Sequence, residues 1–247
     1  MHFLQLDALH FAYPHRGEVV RDVCMQLAPG EIRCLIGRSG CGKTTVLKLA
    51  AGLLTPQHGQ VSLKGQAVQQ PVPDMGFVFQ SPTLLNWLSV LDNVLLPLSL
   101  HGAINPEQRA YGEQLLAQMG LSNLCGDKPH RLSGGQQSRV AIARALVTRP
   151  SVLFMDEPFA ALDAITRDEL QRDFLDLCQT QGTAVLFVTH DMAEAVYLAD
   201  HVSLMHAGGI QTSLAIDLPR PRQTAMRYTP AFNSLCEKLR LAMDAAA

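Results

Sequence analysis

Residues Gly37-Arg38-Ser39-Gly40-Cys41-Gly42-Lys43-Thr44 set three glycines, a lysine and a hydroxyl at the spacing GxxxxGK[ST]. Glycine lets the backbone turn its N–H groups inward around an anion where a larger residue would obstruct it. Lys43 brings a full positive charge within reach of the β- and γ-phosphates of a nucleoside triphosphate, and the Thr44 hydroxyl suits a bound Mg²⁺. A helix expected to begin near Lys43 adds the positive end of its dipole. The expected ligand is ATP with Mg²⁺, cradled from Gly37 to Thr45. Cys41 lies inside this cradle, so alkylation of its thiol is expected to block ATP binding.

A second cluster follows the apolar run Ser151-Val152-Leu153-Phe154-Met155, which ends on Asp156-Glu157. Two carboxylates at the carboxyl end of a buried strand sit where open α/β sheets place their ligands. Asp156 is expected in the Mg²⁺ shell. Glu157 is placed to polarise or deprotonate an attacking water as a general base. Further on, Leu132-Ser133-Gly134-Gly135-Gln136 matches a capping box between Ser133 and Gln136. Two glycines directly behind a cap weaken a helix, unless backbone there must approach something such as a phosphate.

These residues need a scaffold of strand, loop and helix. Leu4 to Tyr13 and Val19 to Leu27 read as strands around Pro14-His15-Arg16-Gly17, and Pro29-Gly30 leads into a third, Ile32 to Ile36. Helical spacing runs from Lys43 to Leu54, Pro106 to Met119, Arg139 to Val147 and Glu169 to Cys178. Val152 to Met155 and Ala184 to Val188 suit buried parallel strands. The order predicts an α/β fold with a parallel sheet, interrupted from about Ser81 to Gln137 by a mainly helical insertion. Beyond Asp217, Leu-Pro-Arg-Pro-Arg and an amphipathic helix near Ala231 to Met243 form a short tail.

Composition narrows the partners. Twenty Lys plus Arg against 22 Asp plus Glu give a formal charge of -2, so no global basic field is present to hold nucleic acid. Six cysteines without a CxxC pair fit reduced thiols rather than a disulfide or zinc framework. The start Met1-His2-Phe3-Leu4 lacks a signal peptide's basic and apolar regions, which implies a cytosolic chain. Met75 to Pro106 carries Asp92 as its one formal charge, yet Pro82, Asn86, Ser89, Asn93 and Pro97 interrupt it well short of a membrane span.

Leu132 to Gln136, with Gln137-Ser138-Arg139-Val140-Ala141-Ile142-Ala143-Arg144-Ala145-Leu146 behind it, resembles the signature of the ATP-binding cassette family, and the likeness extends over nearly the whole chain. The resemblance implies a P-loop NTPase core with a parallel sheet, an N-terminal antiparallel β subdomain and an inserted helical subdomain. It gives one nucleotide-binding domain, with about 1–80 and 138–212 as core, 81–137 as helical subdomain and 213–247 as tail. It also implies two such domains packed head to tail, so that Ser133, Gly134, Gly135 and Gln136 close on nucleotide held by the other subunit of a homodimer.

Further roles follow from the likeness. Tyr13 matches the aromatic that stacks on adenine, and Gln80 the glutamine that reaches Mg²⁺ and the attacking water. Ala161-Leu162-Asp163 matches the loop crossing the dimer interface, and His190 the histidine on the γ-phosphate. Ala160 and Ser138 depart mildly from the pattern without removing a catalytic group. Exposed members of the apolar stretch from Met75 to Pro106 are expected to dock a short helix of a transmembrane subunit.

Phe79 to Val94, Phe159 to Arg167 and Leu218-Pro219-Arg220-Pro221-Arg222 look like the nitrate, sulfonate and taurine class of bacterial importers, which also includes carriers of thiamine-type precursors. That class implies integral membrane permease subunits, an extracytoplasmic solute-binding protein and a peripheral position at the cytoplasmic face of the membrane. The competing expectations are a soluble ABC-type ATPase with a regulatory or nucleic-acid role, and a small-molecule kinase. The first usually carries two cassettes, coiled-coil inserts or basic linkers, none of which stands in this chain. The second needs neither Leu132 to Gln136 nor a glutamate beside Asp156.

Overall fold

The computed structural model describes residues 3–15, 17–160 and 162–245. Two sheets share the chain. The smaller is antiparallel, in the order β2-β1-β4-β5, from β1 (Leu4–Ala12), β2 (Glu18–Leu27), β4 (His58–Leu63) and β5 (Gln66–Ala67). The larger runs β10-β9-β3-β8-β7-β6, from β3 (Ile32–Ile36), β6 (Met75–Val78), β7 (Val152–Asp156), β8 (Ala184–Val188), β9 (His201–His206) and β10 (Gly209–Ala215). Its strands are parallel except β10, which returns antiparallel to β9.

The central strands are apolar on both faces because both faces are covered. Cys34, Ile36, Leu153, Met155, Val185 and Phe187 point into one core. That core also holds residues of α2 (Val90–Ser99), α3 (Pro106–Gln118), α4 (Gly134–Leu146), α5 (Ala164–Gln181), α6 (Met192–Leu198) and α7 (Pro230–Ala245). The alternate residues Leu35, Val152, Phe154, Ala184, Leu186 and Val188 face α1 (Lys43–Ala50) and the antiparallel sheet. Each fully buried Leu or Phe contributes about 1.5–3 kcal/mol relative to exposure, so this two-sided burial holds the strand ends in place.

Several bounds differ from the sequence expectation. Helix α1 ends at Ala50 rather than Leu54, because Gly52 turns left-handed at φ 70° and both Leu53 and Leu54 donate back to the Lys48 carbonyl. Helix α4 starts at Gly134, directly behind the expected Ser133 cap and ahead of the helical spacing from Arg139, since the cap offsets the poor helix propensity of the glycines. The antiparallel sheet draws β4 and β5 from beyond α1, so it is not confined to the chain start. Strands β6, β9 and β10 were absent from the sequence reading; four to seven residues long, they gain definition only from neighbouring strands.

Between β6 and α4, the stretch from Met75 to Pro106 divides as its mixed composition dictates. Leu91, Val94 and Leu95 are core, whereas Trp87 and Leu100 stand 72% and 76% exposed. The fully buried Asn93 pins the loop before α2, accepting from Leu85 N at 2.8 Å and donating to Ser89 O at 2.9 Å. Among the described residues, no helix is long and apolar enough to cross a membrane.

Candidate nucleotide site

Four adjacent strands, β3, β8, β7 and β6, each release a functional segment at the carboxyl end. The loop from Gly37 follows β3, Thr189-His190 follows β8, Glu157 follows β7, and Phe79-Gln80 follows β6. Parallel register sets these ends level, with Val78 opposite Met155 and Asp156 opposite Val188.

The loop needs its glycines for two reasons. A Cβ on Gly37 would stand 2.3 Å from the Met205 carbonyl oxygen. One on Gly42 would meet Val19 O at 2.5 Å, with φ already at +105°. Within the turn, the buried Lys43 donates from Nζ to Gly37 O at 2.8 Å and Arg38 O at 3.1 Å, and approaches Cys41 Sγ at 3.9 Å. Its oxygen partners are neutral carbonyls, so a buried cation here favours an incoming anion. Ser39, Gly40, Lys43, Thr44 and Glu157 line an open cavity of about 370 Å³. Tyr13 and Val19 flank it; the Tyr13 hydroxyl lies 3.4 Å from Thr45 Oγ1, and its ring meets Phe11 edge-on.

Thr44 Oγ1 donates to Asp156 Oδ1 at 2.9 Å. A hydroxyl and a carboxylate converging beside a phosphate-sized cradle form the hard oxygen set that suits Mg²⁺. Burial raises the Asp156 pKa, the Thr44 hydrogen bond opposes that, and the neighbouring Glu157 charge raises it further. A divalent cation would remove this penalty, so these residues fit the ion.

Glu157 is held in the left-handed region at φ 46°, its N–H fixed on Val188 O at 3.0 Å. That turn aims the carboxylate across the sheet end. Its Oε2 accepts from Gln80 Nε2 at 3.4 Å and lies 3.3 Å from His190 Nδ1. Three residues from three strands therefore meet on one oxygen.

The remaining residues of interest form a separate group. Ser133 Oγ accepts from Gln136 N at 3.3 Å, and Gln136 Oε1 from Ser133 N at 2.9 Å, completing a capping box. Gly134 is open, while a Cβ on Gly135 would lie 3.0 Å from the Leu162 side chain. Asp163 caps α5, accepting from Thr166 N at 3.0 Å, and the Thr166 hydrogen bonds hold its carboxyl below the ordinary range. Ala161 lies outside the described residues. None of Ser133, Gly134, Gly135, Gln136 or Asp163 lines the cavity at Lys43.

A family profile described as "ABC transporter" matches residues 20–160, more than half of the chain. The chain belongs to the ABC transporter family. It is 47% identical over 221 residues to an aliphatic sulfonates import ATP-binding protein of Xanthomonas axonopodis pv. citri, covering 87% of each chain. It is 42% identical over 247 residues to the nitrate import ATP-binding protein NrtC of Synechococcus elongatus, covering 96% of this chain but 38% of that one. Among solved structures it resembles the ATP-binding cassette MJ0796, a dimer in a post-hydrolysis state bound to ADP and Pi. The TM-score is 0.78 at 29% identity, covering 88% of this chain and all of that one.

In this ABC chain the sequence reading missed one strut. Arg144 of α4 donates to Pro82 O at 2.8 Å and Thr83 O at 2.9 Å, tying the loop behind Gln80 to the helix that Ser133 caps. Arg144 was visible only as a continuation of the signature, because nothing in its spacing to residues some sixty positions earlier announces the contact.

Proposed function

We propose that this chain is the ATP-hydrolysing subunit of a bacterial ABC importer for a small solute of the nitrate, sulfonate, taurine or thiamine-precursor type. One observation carries the reading: Gln80 and His190 converge on the Glu157 carboxylate beside the Lys43 cradle.

Backbone N–H groups from Gly37 to Thr45, with Lys43, hold the phosphates, and Tyr13 takes the adenine face. Thr44, Asp156 and Gln80 would hold Mg²⁺, which would supply positive charge against the phosphate oxygens. Glu157 accepts the proton of the attacking water, Gln80 orients that water, and His190 donates to the γ-phosphate oxygens. Because Ser133 to Gln136 and Asp163 lie away from the cavity, a second copy supplies them, as the dimeric cassette MJ0796 leads one to expect.

The same reading treats the chain as one nucleotide-binding domain with a helical lobe near 81–137, peripheral to the membrane at its cytoplasmic face. A groove of about 410 Å³ beside Phe77, Leu98, Leu100 and His101, with the exposed Trp87 nearby in sequence, offers apolar surface for a cytoplasmic helix of a permease subunit. Delivery of solute by an extracytoplasmic binding protein belongs to the same proposal. Co-purification with a polytopic membrane protein, and ATP turnover that rises when solute-loaded binding protein is added, tests it. Recovery only as a soluble species with turnover indifferent to any membrane subunit overturns it.

A further inference from the structure

The family profile ends at residue 160, yet a buried polar chain runs from the tail back to His190. Arg227 belongs to the short helical turn Thr224–Tyr228 that precedes α7. Its guanidinium carbon lies over the Tyr197 ring, 4.1 Å from the centroid, and the group pairs with Asp168 Oδ1 at 3.4 Å. From there Nη2 donates to Gln171 Oε1 at 2.5 Å. Gln171 is fully buried in α5, and its Nε2 donates to Glu194 Oε1 at 2.7 Å. Glu194, 4% exposed in α6, donates its backbone N–H to Asp191 Oδ1 at 3.1 Å. Thr189 Oγ1 accepts in turn from Asp191 N at 3.1 Å. His190 is the residue between those two.

Direction matters along this chain. A primary amide has one oxygen and one NH₂, so the Arg227 donor on the oxygen forces the NH₂ toward Glu194. Without Arg227 the buried amide oxygen loses its donor, and the amide is no longer held at both ends, so its hydrogen bond to Glu194 loosens. The first turn of α6, where Glu194 N–H bonds the capping Asp191, would then lose a fixed side chain. A neighbouring branch closes the frame: Arg167 reaches Asp191 Oδ2 at 3.4 Å and Leu162 O at 2.9 Å, while Asp191 Oδ1 accepts from Ala193 N and Glu194 N.

We propose that Arg227 is a positioning residue for His190, acting through Gln171, Glu194 and Asp191, so that the tail sets the histidine's place against the γ-phosphate. The inference rests on the hydrolysis reading above and adds a function for a segment outside the nucleotide cradle. It also accounts for the residue type. Arginine's fork of donors reaches Gln171 and Asp168 while its carbon sits over Tyr197, whereas the single ammonium of lysine can meet only some of these contacts.

The test uses the full chain, with its membrane partners where turnover requires them. In Arg227→Gln, kcat should fall about tenfold, the loss expected for one loosened buried hydrogen bond. The KM for ATP and binding of a fluorescent ATP analogue should stay within about twofold, since the cradle is untouched. Arg227→Lys should recover part of the loss. Leu241→Ala, at an exposed site of α7, should change neither quantity.

The ¹³Cε1 resonance of His190, read without nucleotide in selectively labelled protein, should move in Arg227→Gln and in Gln171→Leu but not in Leu241→Ala. An unmoved His190 resonance with wild-type kcat in Arg227→Gln overturns the inference, as does an equal loss in Leu241→Ala. If Arg227→Gln fails to fold, the Arg227→Lys resonance decides alone, and no displacement there overturns it. A wild-type chain that hydrolyses no ATP, or a His190→Ala chain that turns over normally, would instead sink the proposed function.

Discussion

Glu157 Oε2 stands 3.3 Å from His190 Nδ1, and the same oxygen receives the Gln80 amide at 3.4 Å. The proposed base is thus held by the two groups proposed to orient water and γ-phosphate. The left-handed backbone at Glu157 aims it there.

Glu157→Gln keeps the size and hydrogen-bonding reach of the side chain but cannot take a proton. Steady-state turnover should fall by about 10²–10⁴, with ATP binding retained. Size-exclusion chromatography with ATP should show a stabilised dimer. Wild-type turnover in the variant would refute the assignment.

Cavity residues and the Ser133 cap lie apart within one chain, which gives a concentration signature. Equilibrium ATP binding should be independent of protein concentration, while specific turnover of the isolated subunit should rise with it until dimers saturate. A specific activity that is flat down to nanomolar protein would show that one copy suffices.

Burial lifts the Glu194 pKa to about 7 from an ordinary carboxyl value. The folded state therefore holds a proton that the unfolded state has released. This group's contribution to stability is fully present below the unfolded pKa and declines as pH rises through about 7. Asp191 adds to the lift, while Thr189, Arg167 and Gln171 oppose it. Urea melts of Glu194→Gln should show a flatter pH dependence, with a gain at pH 8 of on the order of 3 kcal/mol over the parent. Parallel curves for the two chains from pH 5 to 8 would refute this.

Cys41 Sγ packs toward Gly37 and lies 3.9 Å from Lys43 Nζ. A maleimide there would fill the cradle. Labelling of Cys41, in a background with the exposed Cys24 changed to serine, should abolish nucleotide binding, and bound ATP should slow the labelling. Unchanged turnover after stoichiometric labelling, measured by mass spectrometry, contradicts it.

The sequence alone determined the parts whose chemistry is local. Gly37 to Thr45 needs a strand before it and a helix after it, and the spacing of neighbouring residues encodes both. Ser133 with Gln136 specified a cap four residues long, Ala184 to Val188 appeared at its observed bounds because a buried parallel strand is an unbroken apolar run, and Ile32 to Ile36 because Pro29-Gly30 and Gly37 punctuate its two ends. Asp156 and Glu157 were legible as a strand end. Gln80 and His190 were legible only through resemblance, since a lone glutamine or histidine carries no local signal.

Only the tertiary structure decided which of these residues meet. Sheet order set β6, β7 and β8 side by side and brought Gln80, Glu157 and His190 to one oxygen, although 110 residues separate the first from the last. It also separated Ser133 and Asp163 from the Lys43 cradle, and joined Arg144 to Thr83 and Arg227 to Gln171. Such contacts depend on strand pairing and on burial from both faces of the sheet, which no spacing along a single chain records.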